Sequence, residues 1–318
     1  MKTLKIGDIK LKNRLFLSPM VDVTDLAYRI ICRKAGAAIA YTEMLYVDAI
    51  LHENERTKLL MKTSKEDHPV GLQITGKNEK EFERLSSYIK DFDLIDINCG
   101  CPSIKLINSQ AGSYLLNSPE KISKMVRILK SEKVNPEAKP ITAKIRLGFK
   151  ENNVLKVAKM IENAGADAIT LHARLAIHGR KIPADWKWIE KVKQNLEIPV
   201  IGNGDIFNGE DAEKMLEIAD GAMIARGAIG DPMIFSRVLR YLNTGKESEF
   251  DFKKNLGLLK EYLSLAERYG IADINRIKYL GSNFIRNIQG AAKLRSELMS
   301  LKNLEEIKKF IKKVEVSE

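Results

Sequence analysis

Phe92-Asp93-Leu94-Ile95-Asp96-Ile97-Asn98-Cys99-Gly100-Cys101-Pro102 is an apolar run that breaks into asparagine, glycine, two thiols and proline. It reads as a strand over Asp93–Asn98 followed by a loop. An α/β enzyme keeps its chemistry at such a strand end, so the thiols are candidates for function. Seven further runs of this kind lie at Leu15–Met20, Ala38–Met44, Val70–Ile74, Ile141–Arg146, Ala168–His172, Pro199–Asn203 and Gly221–Ala225. Helix-period segments alternate with them at Asp25–Ala35, Glu79–Lys90, Pro119–Lys130, Asn153–Ala164, Trp186–Gln194 and Gly209–Ile218. Eight alternations over roughly 250 residues predict an α/β (β/α)8 TIM barrel. An open doubly wound sheet ranks second, because no Gly-x-Gly-x-x-Gly turn follows the first strand.

Composition predicts one soluble catalytic domain with an appendage: 318 residues, 44% hydrophobic and 30% charged. No apolar run approaches the roughly 18 residues of a membrane span and no signal-like stretch opens the chain, which predicts a cytoplasmic protein. Three cysteines cannot build a disulfide framework, and Cys99 and Cys101 lack the further ligands of a metal site, so no metal is expected. From about Tyr241 strand signals stop and helical periodicity runs to the end, dividing the chain into a catalytic barrel (1–240) and a helical domain (241–318). The formal net charge is +11, which suits an anionic partner. The helical part carries 15 Lys and Arg against 11 Asp and Glu. Between Asp273 and Glu297 there is no acid, while Arg276, Lys278, Arg286, Lys293 and Arg295 are basic.

The strand ends are polar. The first run ends in Ser18, Pro19 and Met20, the third holds Gln73, and the fourth gives Asn98 and Cys101. Lys144 and Arg146 close the fifth, His172 and Arg174 the sixth, Asn203, Gly204 and Asp205 the seventh, and Ala225, Arg226 and Gly227 the eighth. A lysine pointing into a barrel is costly unless it meets an anion or an electron-rich ring. Glycines and backbone amides after the last two strands are where barrels commonly hold phosphate, so a phosphorylated ligand is expected. Cys99 reads as a small buried hydrophobe.

Taken in order, these residues resemble the tRNA-dihydrouridine synthases. Leu17-Ser18-Pro19-Met20 with Val23-Thr24-Asp25 is similar to the family's first strand. Asn98 to Pro102 resembles its Asn-x-Gly-Cys-Pro signature, and Lys144 to Gly148, His172-Ala173-Arg174, Ala184-Asp185-Trp186, Asn203 to Ile206 and Met223 to Gly227 complete the set. The helical tail resembles the family less closely, mainly through Gly290, Ala291, Ala292 and Arg295.

The resemblance implies an FMN enzyme that reduces a D-loop uridine of tRNA to dihydrouridine, with NADPH recharging the flavin and no protein partner. FMN would touch Pro19, Met20, Gln73, Lys144, His172, Asn203, Gly204, Asp205, Ala225 and Arg226. Cys101 would give a proton to C5 after hydride reaches C6. Asn98 and Arg146 would hold the uracil carbonyls, Arg174 a neighbouring phosphate, and the basic stretch with Arg286, Lys293 and Arg295 the tRNA backbone. The chain departs from the family at Val21 and Asp22, at Leu175, over His178 to Pro183 and at Ile277, Lys278 and Tyr279, which leaves the target uridine open. An FMN-dependent reductase of free pyrimidines and a non-catalytic RNA-binding module remain alternatives.

Overall fold

The eight apolar runs become the eight positions of a closed parallel barrel in the computed structural model, which describes residues 3–179, 182–286 and 288–317. An antiparallel hairpin, β1 (Leu4–Ile6) and β2 (Ile9–Leu11), precedes it. The barrel strands are β3 (Leu15–Leu17), β4 (Ala40–Tyr41), β5 (Leu45–Tyr46), β6 (Val70–Thr75), β7 (Leu94–Cys99), β8 (Ile141–Arg146), β9 (Ala168–His172), β10 (Val200–Asn203) and β11 (Gly221–Ile224). Parallel pairing runs in the order β3-β11-β10-β9-β8-β7-β6-β4. The bridge Phe16↔Ile39, with the Leu17 N–H donating to the Ile39 carbonyl at 3.0 Å, closes the ring.

Ala38–Met44, expected as one strand, is interrupted. Tyr41 pairs with Gly71 and Leu45 with Ile74, so Thr42, Glu43 and Met44 oppose only Leu72 and Gln73. The extra residue is a bulge at the barrel rim, where such features re-aim side chains. The Thr42 hydroxyl takes the Gln73 N–H at 3.0 Å, and Met44 faces the barrel mouth. Glu79–Lys90, expected as a helix, is instead a 3-10 segment, Glu79–Arg84, continued by turns. Buried Phe82, Leu85 and Ile89 have helical spacing, yet the Leu85 and Tyr88 N–H groups reach back only three residues, to Phe82 and Leu85.

Strand residues alternate between the interior and the helical layer. At the N-terminal end Phe16, Ile39, Tyr41, Leu94, Ala168, Ile201 and Met223 form a core of their own, capped by Leu4, Ile6 and Leu11 of the hairpin. Gly71 has to be glycine there, since a Cβ would lie 2.5 Å from the Tyr41 ring. The outward residues pack on amphipathic helices. Helix Pro119–Lys130 shows the pattern, with proline in its first turn and Ile122, Met125, Val126 and Leu129 buried on one face.

The division expected at 240/241 falls inside helix Ile234–Thr244, which ends at the left-handed Gly245. Tyr241 belongs to the barrel's outer layer, where it packs on Gly209 so closely that a Cβ there would lie 2.3 Å away. The tail itself begins with helix Phe252–Arg268 and continues through Ile274–Phe284, Ala291–Ser300 and Leu304–Ser317. It packs on helix Leu26–Lys34 through edge-on contacts of Tyr28 with Tyr262 and Phe284. No helix of the described residues is long and apolar enough to cross a membrane.

On the same helix Arg29 is fully buried and donates to both Asp67 oxygens, to the Thr24 carbonyl at 3.0 Å and to the Lys62 carbonyl at 2.8 Å. Removing one partner of such a pair strands the other charge away from water. Asp67→Ala is expected to lower stability by about 3–5 kcal/mol. Chemical denaturation checks this, and a loss below about 1 kcal/mol would contradict it.

Candidate active site

The alternation that fills the lower barrel with apolar side chains points polar ones inward at the upper end. Register places Lys144 beside Asn98 and Thr170, Arg146 beside His172, His172 beside Asn203, and Gln73 beside Asp96. All but Asp96 and Thr170 line a cleft of about 330 Å³ at the C-terminal mouth. Pro19, Met20, Gln73, Asn98, Cys101, Lys144, Arg146, His172, Arg174, Asn203, Ala225 and Arg226 all meet there. Gly204 and Asp205 line an adjoining recess with Arg226 and Phe207.

One network builds the thiol wall. Asp96, buried below the mouth, accepts from Gln73 Nε2 and Thr142 Oγ1, both at 2.7 Å. Gln73 Oε1 accepts from Asn98 Nδ2 at 2.8 Å, and Asn98 Oδ1 accepts the N–H groups of Gly100 at 3.2 Å and Cys101 at 3.0 Å. Arg146 Nε donates to the Gly100 carbonyl at 2.7 Å. Asn98 and Arg146 therefore shape the Cys101 loop. Cys101 is half-buried in the cleft wall, whereas Cys99 faces the helical layer, where burial pushes its thiol pKa up.

Across the cleft Lys144 Nζ donates to Asn203 Oδ1 at 2.9 Å, and Asn203 Nδ2 donates to the Met223 carbonyl. Burial, with Arg146 nearby, lowers the Lys144 pKa to about 8, against the pull of Asp96. Burial and the surrounding cations Lys144, Arg146, Arg174 and Arg226 push His172 far down, so its ring is neutral. Arg174 Nη1 faces His172 Nε2 at 3.1 Å; a guanidinium only donates, so the ring proton sits on Nδ1.

Arg174, expected on a phosphate, is also held by partners within the chain. Besides His172 it donates to the Ile182 carbonyl and pairs with Asp205 Oδ2, both at 2.5 Å. These bonds use three of its five N–H groups and orient His172 and Asp205, and Arg174 still lines both the cleft and the recess. Asp205 adopts a left-handed backbone (φ 57°) and also binds Arg226 at 2.7 Å. Gly204 before it has φ +118°, a conformation L side chains rarely adopt, and a Cβ there would press on Ala184 and His172 at 3.0 Å.

The tail residues lie apart. Arg286 and Lys293 are exposed and Arg295 is half-buried, none of them in the cleft. Arg276, grouped with them by charge, is buried at the junction with the barrel. It pairs with Asp25 at 3.1 Å and Glu43 at 2.8 Å, while the Tyr262 hydroxyl donates to Asp25 at 3.0 Å. It joins the tail to the Met20–Asp25 turn and to the rim bulge. The sequence reading missed Val23, Met44, Ile229 and Tyr279 as cleft residues. Tyr279 comes from the tail, and no local pattern marks it. Arg180 and Lys181, in the stretch that departs from the family, lie outside the described residues.

The family model described as Dihydrouridine synthase (Dus) matches residues 16–317. A "Probable tRNA-dihydrouridine synthase" of Aquifex aeolicus is 31% identical over 312 residues, 96% of either chain. A "tRNA-dihydrouridine synthase B" of Pasteurella multocida is 36% identical over 246 residues, 75% of this chain and 72% of that one. Among solved structures, histamine dehydrogenase from Rhizobium sp. 4-9 superposes with a TM-score of 0.57 at 16% identity, covering 83% of this chain and 50% of that one. The old yellow enzyme homologue from Zymomonas mobilis gives 0.51 at 12% identity, covering 80% and 95%. At these identities the two structures share the barrel fold.

Burial raises the Asp96 pKa to about 6 despite the hydrogen bonds from Gln73 and Thr142. An unfolded chain releases this proton near pH ~4, so the folded state binds more protons between these values and its stability falls as pH rises through them. Asp96→Asn removes that slope. Its stability relative to wild type is expected to improve by roughly 2 kcal/mol between pH 4 and pH 7, read by chemical denaturation at both pH values. A constant difference would contradict the buried, proton-holding carboxyl.

Proposed function

The chain belongs to the dihydrouridine synthase family, and from that premise we propose that it reduces the C5–C6 double bond of a D-loop uridine in tRNA, using FMN, NADPH and the Cys101 thiol. The observation that carries the reading is the shared cleft, with a thiol on one wall and a buried ammonium, a neutral imidazole donor and a glutamine amide on the others.

The donor set fits a flavin. Lys144 uses one hydrogen bond among the described residues, to a neutral amide, and burial lowers its pKa to about 8. An electron-rich ring edge would give the ammonium a further partner and raise the pKa again. Gln73, held by Asp96 and Asn98, presents its remaining donor and acceptor to a pyrimidine-like edge. Pro19, Met20 and Ala225 give apolar contact, and Asn203 holds Lys144 in place. Arg226 and the Gly204–Asp205 turn border the recess suited to the phosphate.

When bound, FMN supplies the hydride that adds to C6 of the uracil. The Cys101 S–H gives its proton to C5, and its loop is fixed by Asn98 and Arg146 before substrate arrives. The Arg146 nitrogen without a partner among the described residues and the second Nδ2 hydrogen of Asn98 would meet the uracil carbonyls. A base has to leave its stack to reach this depth, at a cost of a few kcal/mol that is smaller in a loop. Phosphate contacts of Arg286, Lys293 and Arg295 offset it. Tyr279 of the tail in the cleft wall favours this substrate over a free pyrimidine, which needs no tail.

Cys101→Ala is expected to reduce dihydrouridine formation on tRNA transcripts by about 100-fold or more while the purified protein keeps its flavin and its reduction by NADPH. Turnover within a fewfold of wild type would remove Cys101 from the role. The triple change Arg286→Ala, Lys293→Ala, Arg295→Ala is expected to weaken tRNA binding and flatten its salt dependence, the slope falling by about one for each phosphate no longer neutralised. Binding titrations at several salt concentrations test this, and an unchanged slope would place the RNA elsewhere.

A further inference from the structure

Beside the catalytic cleft lies a second one, of about 780 Å³, walled by three parts of the chain. The rim turn contributes Val21 and Asp22, helix Glu55–Met61 contributes Arg56, Leu59 and Leu60, and the tail contributes Asn275, Arg276 and Tyr279. Val21 and Tyr279 line both clefts, so the two are contiguous.

The lining decides what it can take. Its charges are already matched: Arg276 by Asp25 and Glu43, and Arg56 by Asp22 at 3.8 Å. The Asp273 carboxylate caps helix Ile274–Phe284 by accepting the Arg276 N–H at 2.8 Å. With acids and bases balanced, nothing here recruits a phosphate. What remains is apolar and aromatic surface held open to solvent, with Val21 54%, Tyr279 44% and Leu59 42% exposed, and the exposed Asn275 with its amide. A ring face, aliphatic contacts and an amide donor–acceptor pair are the chemistry that holds an unstacked nucleobase.

We propose that this cleft binds a second base of the same RNA, a near neighbour of the target uridine, with Tyr279 stacking on it and Asn275 reading its edge. The proposal rests on the RNA reading above and deepens it. A base captured here fixes which neighbouring nucleotide can enter the catalytic cleft, so the site selects the uridine to be reduced. Because barrel and tail both contribute walls, it exists only when the two are docked through Arg276.

The test uses flavin-loaded full-length protein and tRNA transcripts in which each nucleotide flanking the reduced uridine is made abasic in turn. With wild type, one abasic position is expected to raise KM about tenfold with little change in kcat, as loss of a stacked base would. Leu59→Trp, which fills the cleft from outside the catalytic machinery, is expected to raise KM similarly on intact tRNA and to show no further rise with the abasic transcript. Asn275→Ala, at an exposed position, should give a smaller rise with the same non-additivity. Additive effects, or an unchanged KM for both variants, would overturn the cleft while leaving the reductase reading intact. Absence of any dihydrouridine with wild type would overturn both.

Discussion

Lys144 reaches the barrel interior from β8 and donates to Asn203 Oδ1 at 2.9 Å, a neutral partner for a positive charge. Burial brings its pKa down to about 8. Around it Arg146 pushes that value down and Asp96 pulls it up. Asp96 lies below and holds its proton to about pH 6, His172 is neutral, and Arg174 and Arg226 share Asp205. The arrangement is a cation whose hydrogen-bond partner is a neutral amide, and it suits a ligand with an electron-rich edge at Lys144 and a phosphate near Arg226. The Cys101 loop is tied through Asn98 and Gln73 to Asp96 on the opposite wall. Thiol and cation are thus positioned by two separate sets of hydrogen bonds, with Asp96 near enough to act on the Lys144 charge.

The tail completes the site. Arg276 joins helix Ile274–Phe284 to Asp25 and Glu43, which anchor the rim turn and the bulge. Asp25 also caps helix Leu26–Lys34, and Glu43 Oε2 accepts the Asp22 N–H at 2.7 Å. Gly230 meets the tail so closely that a Cβ would lie 2.3 Å from the Asn283 backbone, and Asn255 donates to the Gly230 carbonyl at 2.7 Å. Such packing makes the tail part of the mouth's wall, as Tyr279 in the cleft lining attests.

Local pattern carried the reading wherever a residue's role is set by its neighbours in sequence. Strands Ile141–Arg146 and Ala168–His172 and helices Pro119–Lys130 and Gly209–Ile218 have the expected bounds because apolar periodicity and terminal Pro, Asn or Gly define them locally. The cleft residues were legible because period-two alternation with the barrel rule puts Gln73, Lys144, His172 and Asn203 at one end and facing inward. What escaped depends on distant partners. Arg276 looked like one more surface cation until its acid, 251 residues away, was brought beside it. The ion pair of Arg174 was hidden because its carboxylate, Asp205, belongs to the following strand's loop. The hairpin at residues 4–11 is too short to announce itself, and the bulge at 42–44 is visible only against the register of β6.

The central claim is that this cleft reduces a particular uridine of tRNA. Nucleotide-resolution mapping of dihydrouridine in tRNA from cells with and without this gene tests it most directly. The account predicts that one D-loop position loses its dihydrouridine without the gene and regains it with the wild-type chain. An unchanged dihydrouridine pattern at every position would contradict it.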